Sequence, residues 1–275
     1  MNERGGLATG FLLLAVFMAA CTMSGEGDLP SQGASECVVL LHGLGRTARS
    51  MEDLEQALRR AGYATANIDY PSRSESIATL SERVVPEGIN RCREEGARRI
   101  HFVTHSMGGI IVRHYLGEQR PVELGRVVML SPPNRGSEVA DELGGNRLYQ
   151  WFNGPAGQEL GTRGLPARLG PVDYPVGIIT GNRAALWDRW FSTVLPGEDD
   201  GKVSVASARL EGMRDFLVVP YSHTFIMKRE EVIKQVIHFL RNGRFRHPAD
   251  RQRPGQAPAG AALSKRANVS TTPFG

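Results

Sequence analysis

The sequence predicts an α/β domain with a mainly parallel central sheet and helices on both faces. Three observations carry this. The β-branched and leucine runs are short and nearly continuous rather than alternating, segments of helical period separate them, and the order strand then helix repeats between residues 36 and 243. The size agrees: 275 residues, 41% apolar and 23% charged, suffice for one large core.

The first strand falls in "CVVLLHG", a β-branched and leucine run too short for a helix and bounded by glycine. "SMEDLEQALRRAGY" follows, with Met51, Leu54, Ala57, Leu58 and Ala61 on one helical face and Gly62 in the usual terminating position. The alternation continues through strand "ATANIDY", a helix from Ile77 to about Arg93, strand "RIHFVTH", a helix from Met107 to about Leu116, and strand "RVVMLS". Strands "VGIIT" and "DFLVVP" and an amphipathic helix from about Phe225 to Leu240 complete the domain. Residues 135–175 break the rhythm with Gly, Pro and scattered aromatics, and are expected to form an irregular, lid-like insert.

Both ends lie outside that pattern. Arg4 precedes the apolar run "LATGFLLLAVFMAA", so residues 1–20 read as a secretion signal, too short for a comfortable membrane span. Ala19, Ala20 and Cys21 resemble the lipobox of bacterial lipoproteins, although Met18 stands where leucine is usual. That resemblance implies a lipidated Cys21, a membrane anchor, and an outer-membrane or periplasmic location, with residues 21–35 as linker. Simple export and an uncleaved anchor are the alternatives. From 244 to 275 the chain carries six Lys or Arg against Asp250, a net charge of +5 that exceeds the +4 of the whole chain. The remainder is therefore near neutral, the tail is expected to be disordered, and no basic patch with interleaved aromatics suggests a nucleic-acid partner.

Cys37 and Cys92 fall in a predicted strand and a predicted helix. An oxidising compartment permits a bridge between them if the fold brings their Cα atoms within about 7 Å, and two separate thiols are the alternative. No histidine and carboxylate grouping has metal-ligand spacing, and no cofactor is implied.

The chemistry concentrates in "IHFVTHSMGG", where Ser106 sits between a strand and a helix. A serine there is exposed at the end of the sheet, at the positive end of a helix, beside a backbone N–H aimed at a developing oxyanion. A helix-capping serine needs none of this and is the plain alternative. "THSMGG" resembles the G-x-S-x-G nucleophile elbow of α/β-hydrolases, with Thr104 in place of the first glycine. "LLHGLGRTARS" is similar to the H-G segment of lipases, "DDGKV" resembles their D-G-x-V acid segment, and His223 in "VVPYSHTFIM" lies where the family keeps its histidine.

The resemblance to bacterial lipases and esterases covers residues 36–242. It implies the α/β-hydrolase fold, with the lid-like insert after the fifth strand. It also implies a catalytic Ser106, Asp200 and His223, and backbone N–H groups of Leu44 and Met107 as oxyanion hole. Asp199 is the nearest rival acid and Asp69 a third. The other histidines, including His105 beside the serine, are expected to pack or face solvent. Trp187 and Trp190, with Trp151, are expected to line an acyl pocket, core packing being the alternative. The reaction implied is cleavage of carboxylic esters or lipids through an acyl-enzyme. A thioesterase, amidase or acyltransferase would use the same residues, and a catalytically silent binding lipoprotein is the alternative from another class.

Overall fold

The computed structural model describes residues 35–248 apart from 187 and 189. In chain order the elements are β1 (Glu36–Leu41), α1 (Glu52–Arg60), β2 (Ala64–Ile68), α2 (Ile77–Glu94), β3 (Arg99–His105), α3 (Met107–Glu118) and β4 (Leu124–Leu130). There follow α4 (Glu138–Leu143), α5 (Arg147–Gln158), α6 (Leu165–Arg168), β5 (Val176–Gly181), α7 (Val205–Ala208), β6 (Asp215–Val219) and α8 (Glu230–Asn242). The six strands are parallel and ordered β2-β1-β3-β4-β5-β6.

Both faces of the sheet are buried, which is why its strands read as continuous apolar runs. Along β1 the side chains alternate: Cys37, Val39 and Leu41 join the core under α2 and α3, while Val38 and Leu40 join the core under α1 and α8. Leu54 and Leu58 of α1, and Val232, Val236 and Phe239 of α8, repeat at helical spacing and close the second core. Ser76 caps α2 by accepting the Thr79 N–H at 3.1 Å, and Gly62 adopts φ +95° just past α1.

Four expectations need correction. The stretch 135–175 is not irregular, since α4, α5 and α6 lie within it, with a non-helical Gly154 dividing α5. It follows β4, the fourth strand of this chain rather than the fifth. The final helix does not run unbroken from Phe225, because His223–Lys228 forms a separate 3-10 turn and Arg229 is extended. The folded domain also continues past residue 243: Phe245 is fully buried against Phe239, its N–H donates to Asp215 at 2.7 Å, and Arg246 N–H donates to Gln235 at 2.8 Å. The lipobox, Cys21 and the tail beyond residue 248 lie outside the described residues. Among the described residues no helix is long and apolar enough to cross a membrane.

Cys37 and Cys92 form a disulfide with a Cα separation of 5.6 Å, tying β1 to α2 across 55 residues of sequence. Loop-closure entropy for a loop of that size gives about 4 kcal/mol of stabilisation. Reduction, or the double substitution Cys37→Ser and Cys92→Ser, is expected to lower Tm by roughly 10 °C in a thermal melt.

His101 of β3 has no exposure; its Nδ1 accepts the Arg126 N–H at 2.8 Å, and burial pushes its pKa down to about 4 despite Glu36 nearby. An imidazole held neutral in the fold but titrating normally when unfolded stabilises the protein above the unfolded pKa and loses that contribution as pH falls. Stability is therefore expected to decline between about pH 6.5 and pH 4, by as much as about 1.4 kcal/mol per pH unit from this one group. His42 and His105, also lowered by burial, act in the same direction. Urea denaturation across that range measures the slope.

Candidate active site

The sheet order reverses between β1 and β3, so the loops leaving their C-terminal ends diverge and open a crevice. Leu44 emerges from one loop and Ser106 from the other. Ser106 joins β3 to α3 with φ 52° and ψ −123°, a conformation that costs a non-glycine residue roughly 1–3 kcal/mol. Its N–H donates to the Leu130 carbonyl at 2.8 Å, which pins the turn to β4. Its side chain makes no capping bond to α3, so the plain helix-cap reading does not describe it.

Close packing maintains the turn. A Cβ on Gly108 would stand 2.7 Å from the Leu41 carbonyl oxygen and 2.8 Å from that of His42. Only glycine lets the first turn of α3 approach β1 so closely. Thr104, where the elbow pattern has glycine, is fully buried on β3, and a Cβ on Gly109 would lie 3.3 Å from its Oγ1. The absent side chain at 109 leaves the space that threonine takes.

Ser106 Oγ lies 3.0 Å from His223 Nε2, and His223 Nδ1 lies 2.9 Å from Asp200 Oδ2. Asp200 has no exposure and His223 only 5%, so the hydrogen bond between them is shielded from water. Asp200 is itself fixed: its Oδ1 accepts the N–H groups of Lys202 at 3.1 Å and Val203 at 2.9 Å, and its carbonyl accepts the His223 N–H at 2.9 Å. The rival acids are committed elsewhere. Asp199 Oδ1 accepts the Ser192 hydroxyl and the Gly201 N–H, each at 2.7 Å, and Asp69 accepts the Ala48 N–H at 2.8 Å.

His105 has a role that the sequence did not suggest. It is buried, and its Nε2–H donates to the His223 carbonyl at 3.0 Å, with the two ring centroids 4.9 Å apart. Burial first, and then the charges of His223 and Arg46, lower its pKa well below the ordinary value, so it supports His223 as a neutral donor. The strand register assigns it to the face opposite Thr104, and only the position of the turn bearing His223 turns that face into a support for the site.

No hydrogen bond among the described residues engages the N–H of Leu44 or of Met107. A cavity of about 310 Å³ opens onto Ser106 and His223. Leu44, Val139, Ala140, Leu143, Leu160 and Val203 give it apolar walls, and Arg46 and Lys202 also border it. The expected tryptophan lining is not found: Trp151 and Trp190 are 80% and 65% exposed and do not border the cavity, while Trp187 lies outside the described residues. The apolar walls come instead from α4, from Leu160 just past α5, and from Leu44 and Val203 in the loops beside the serine and the acid. Among the described residues no cluster of three or more His, Cys, Asp or Glu is placed to hold a metal.

A parallel six-stranded sheet, a strained serine turn at its switch point, an acid after β5 and a histidine after β6 define the α/β-hydrolase fold. The chain belongs to the alpha/beta hydrolase family, whose model matches residues 38–269. It is 29% identical over 111 residues to a triacylglycerol lipase of Pseudomonas fragi, a match covering 38% of this chain. The match spans 37% of that lipase's length. In structure it is similar to the mature lipase BlEst2 of Bacillus licheniformis, with TM-score 0.62 and 20% identity over 75% of this chain and 92% of that one. It is also similar to phospholipase PlaB of Legionella pneumophila, with TM-score 0.60 and 20% identity over 76% of this chain and 60% of that one.

Proposed function

We propose that this chain is a serine-dependent carboxylic ester hydrolase of the lipase and esterase type. The observation that carries the reading is the unbroken hydrogen-bonded series from Ser106 Oγ through His223 to the buried Asp200, set on a strained turn. In it, His223 Nε2 takes the proton of Ser106 as the hydroxyl attacks the ester carbonyl. Asp200 holds the imidazole with Nδ1 protonated and stabilises the imidazolium. The Leu44 and Met107 N–H groups receive the oxyanion, each donor contributing about 3 kcal/mol in comparable sites. His223 returns the proton to the leaving alcohol, and water then releases the acid from Ser106. The apolar walls suit an acyl chain, so esters and lipids are the substrates expected.

We also propose export and lipid anchoring at Cys21. The disulfide supports export, because such bridges persist in oxidising compartments. Incorporation of labelled palmitate into the full chain, and its loss in Cys21→Ser, tests the anchor.

For the reaction, the test is hydrolysis of p-nitrophenyl esters with acyl chains from acetyl to palmitoyl. A maximum at short or medium chains is expected from the cavity size. No turnover of any of these esters, or of thioesters, would contradict the reading.

A further inference from the structure

The charged lining of the cavity is one-sided. Arg46 and Lys202 border it and no carboxylate does. Arg46 is half-buried, and its one hydrogen bond among the described residues runs from Nη2 to the Thr224 carbonyl at 3.3 Å. It has no carboxylate partner there, whereas exposed arginines such as Arg59 and Arg91 pair with glutamates one helical turn away. A guanidinium facing a partly desolvated cleft without a counter-ion raises the local concentration of anions. Its remaining donors form a fork that fits carboxylate or phosphate oxygens.

The position of Arg46 says which part of a substrate it meets. Thr224 follows His223, and His223 Nε2 is the atom that must return a proton to the leaving alcohol. Arg46 is thus tied to the turn that bears His223, whereas Val139, Ala140, Leu143 and Leu160 belong to the insert and offer an apolar wall for the acyl chain, which leaves the charged lining to the alcohol portion. Lys202, two residues after the acid, adds positive potential to the same cleft.

Resting on the ester-hydrolase reading, we propose that the preferred substrates are acyl esters whose alcohol portion carries an anionic oxygen group, carboxylate or phosphate, bound by Arg46. A side chain needed only to brace the Thr224 carbonyl would be replaced adequately by a neutral amide. One needed for its charge would not.

The experiment compares kcat/KM for matched pairs: p-nitrophenyl butanoate with its ring-carboxylated analogue, and a monoacylglycerol with the corresponding monoacylglycerol phosphate. Each rate is normalised to spontaneous hydrolysis. The full-length wild type is expected to favour the anionic member by about tenfold, the effect of one charge-assisted contact. Arg46→Gln should bring that ratio close to one, Arg46→Lys should retain most of it, and added salt should erode it. A preference in one pair alone supports the proposal and identifies the oxygen group. A wild-type ratio near one in both pairs, or a ratio unchanged by Arg46→Gln, overturns it. Failure of the wild type to hydrolyse any member would overturn the hydrolase reading itself, and this proposal with it.

Discussion

Replacement of Ser106 by alanine is expected to lower kcat for ester hydrolysis by about four to six orders of magnitude, the range seen when the nucleophile of a comparable triad is removed. The fold should be unaffected, because among the described residues the lost hydroxyl hydrogen-bonds only to His223 Nε2, while the backbone bond to Leu130 that holds the turn remains. Circular dichroism and Tm should therefore match the wild type. Activity retained above about one part in a hundred would move the nucleophile elsewhere, since no binding effect of a single hydroxyl explains so small a loss.

The acid gives the second large effect. Asp200→Asn keeps the size of the side chain but places an amide where Oδ2 now accepts from His223 Nδ1 at 2.9 Å. Either the amide oxygen turns inward or the imidazole adopts the other tautomer, which places a proton on the nitrogen that should accept one from Ser106. A fall in kcat of about ten-thousandfold is expected, as in comparable triads. Asp199→Asn is the contrasting variant. Asp199 holds Ser192 and Gly201 within its own loop, so the change should loosen that loop and reduce kcat less than tenfold. Equal losses from the two substitutions would contradict the assignment of Asp200.

Most of this site was legible because its chemistry is local in sequence. "CVVLLHG" is too short for a helix and bounded by glycine, "THSMGG" combines a strand end with glycines at a helix start, and "DDGKV" and "YSHTF" each come after a recognisable strand. The features that were missed depend on contacts across long separations. His105 supports the carbonyl of a residue 118 positions away, and nothing in the hexapeptide encodes that partner. The Cys37–Cys92 bridge, one of two readings the sequence leaves open, spans 55 residues and is decided by the seating of α2 on β1.

The insert departs from its sequence pattern for a different reason. Gly154 and Pro155 interrupt a helix that resumes after them, so its composition resembled a loop while its backbone was mostly helical. The apolar character of the tryptophans points to the pocket. Residue type does not specify a direction, and Trp151 turns outward from α5 while Asn153, two residues on, borders the cavity. The composition around Phe245 is that of a tail, yet its ring packs on Phe239 and the backbone of Phe245 and Arg246 bonds Asp215 and Gln235, which together hold the chain against the domain.

The nucleophile can be identified directly by incubating the protein with a fluorophosphonate and locating the adduct by tandem mass spectrometry, alongside His223→Ala. A stoichiometric adduct on Ser106, formed at least a hundredfold more slowly in the variant, is the expected result, because the hydroxyl is unreactive without its base. An adduct on another residue, or an unlabelled protein that still hydrolyses esters, would contradict Ser106 as the attacking group.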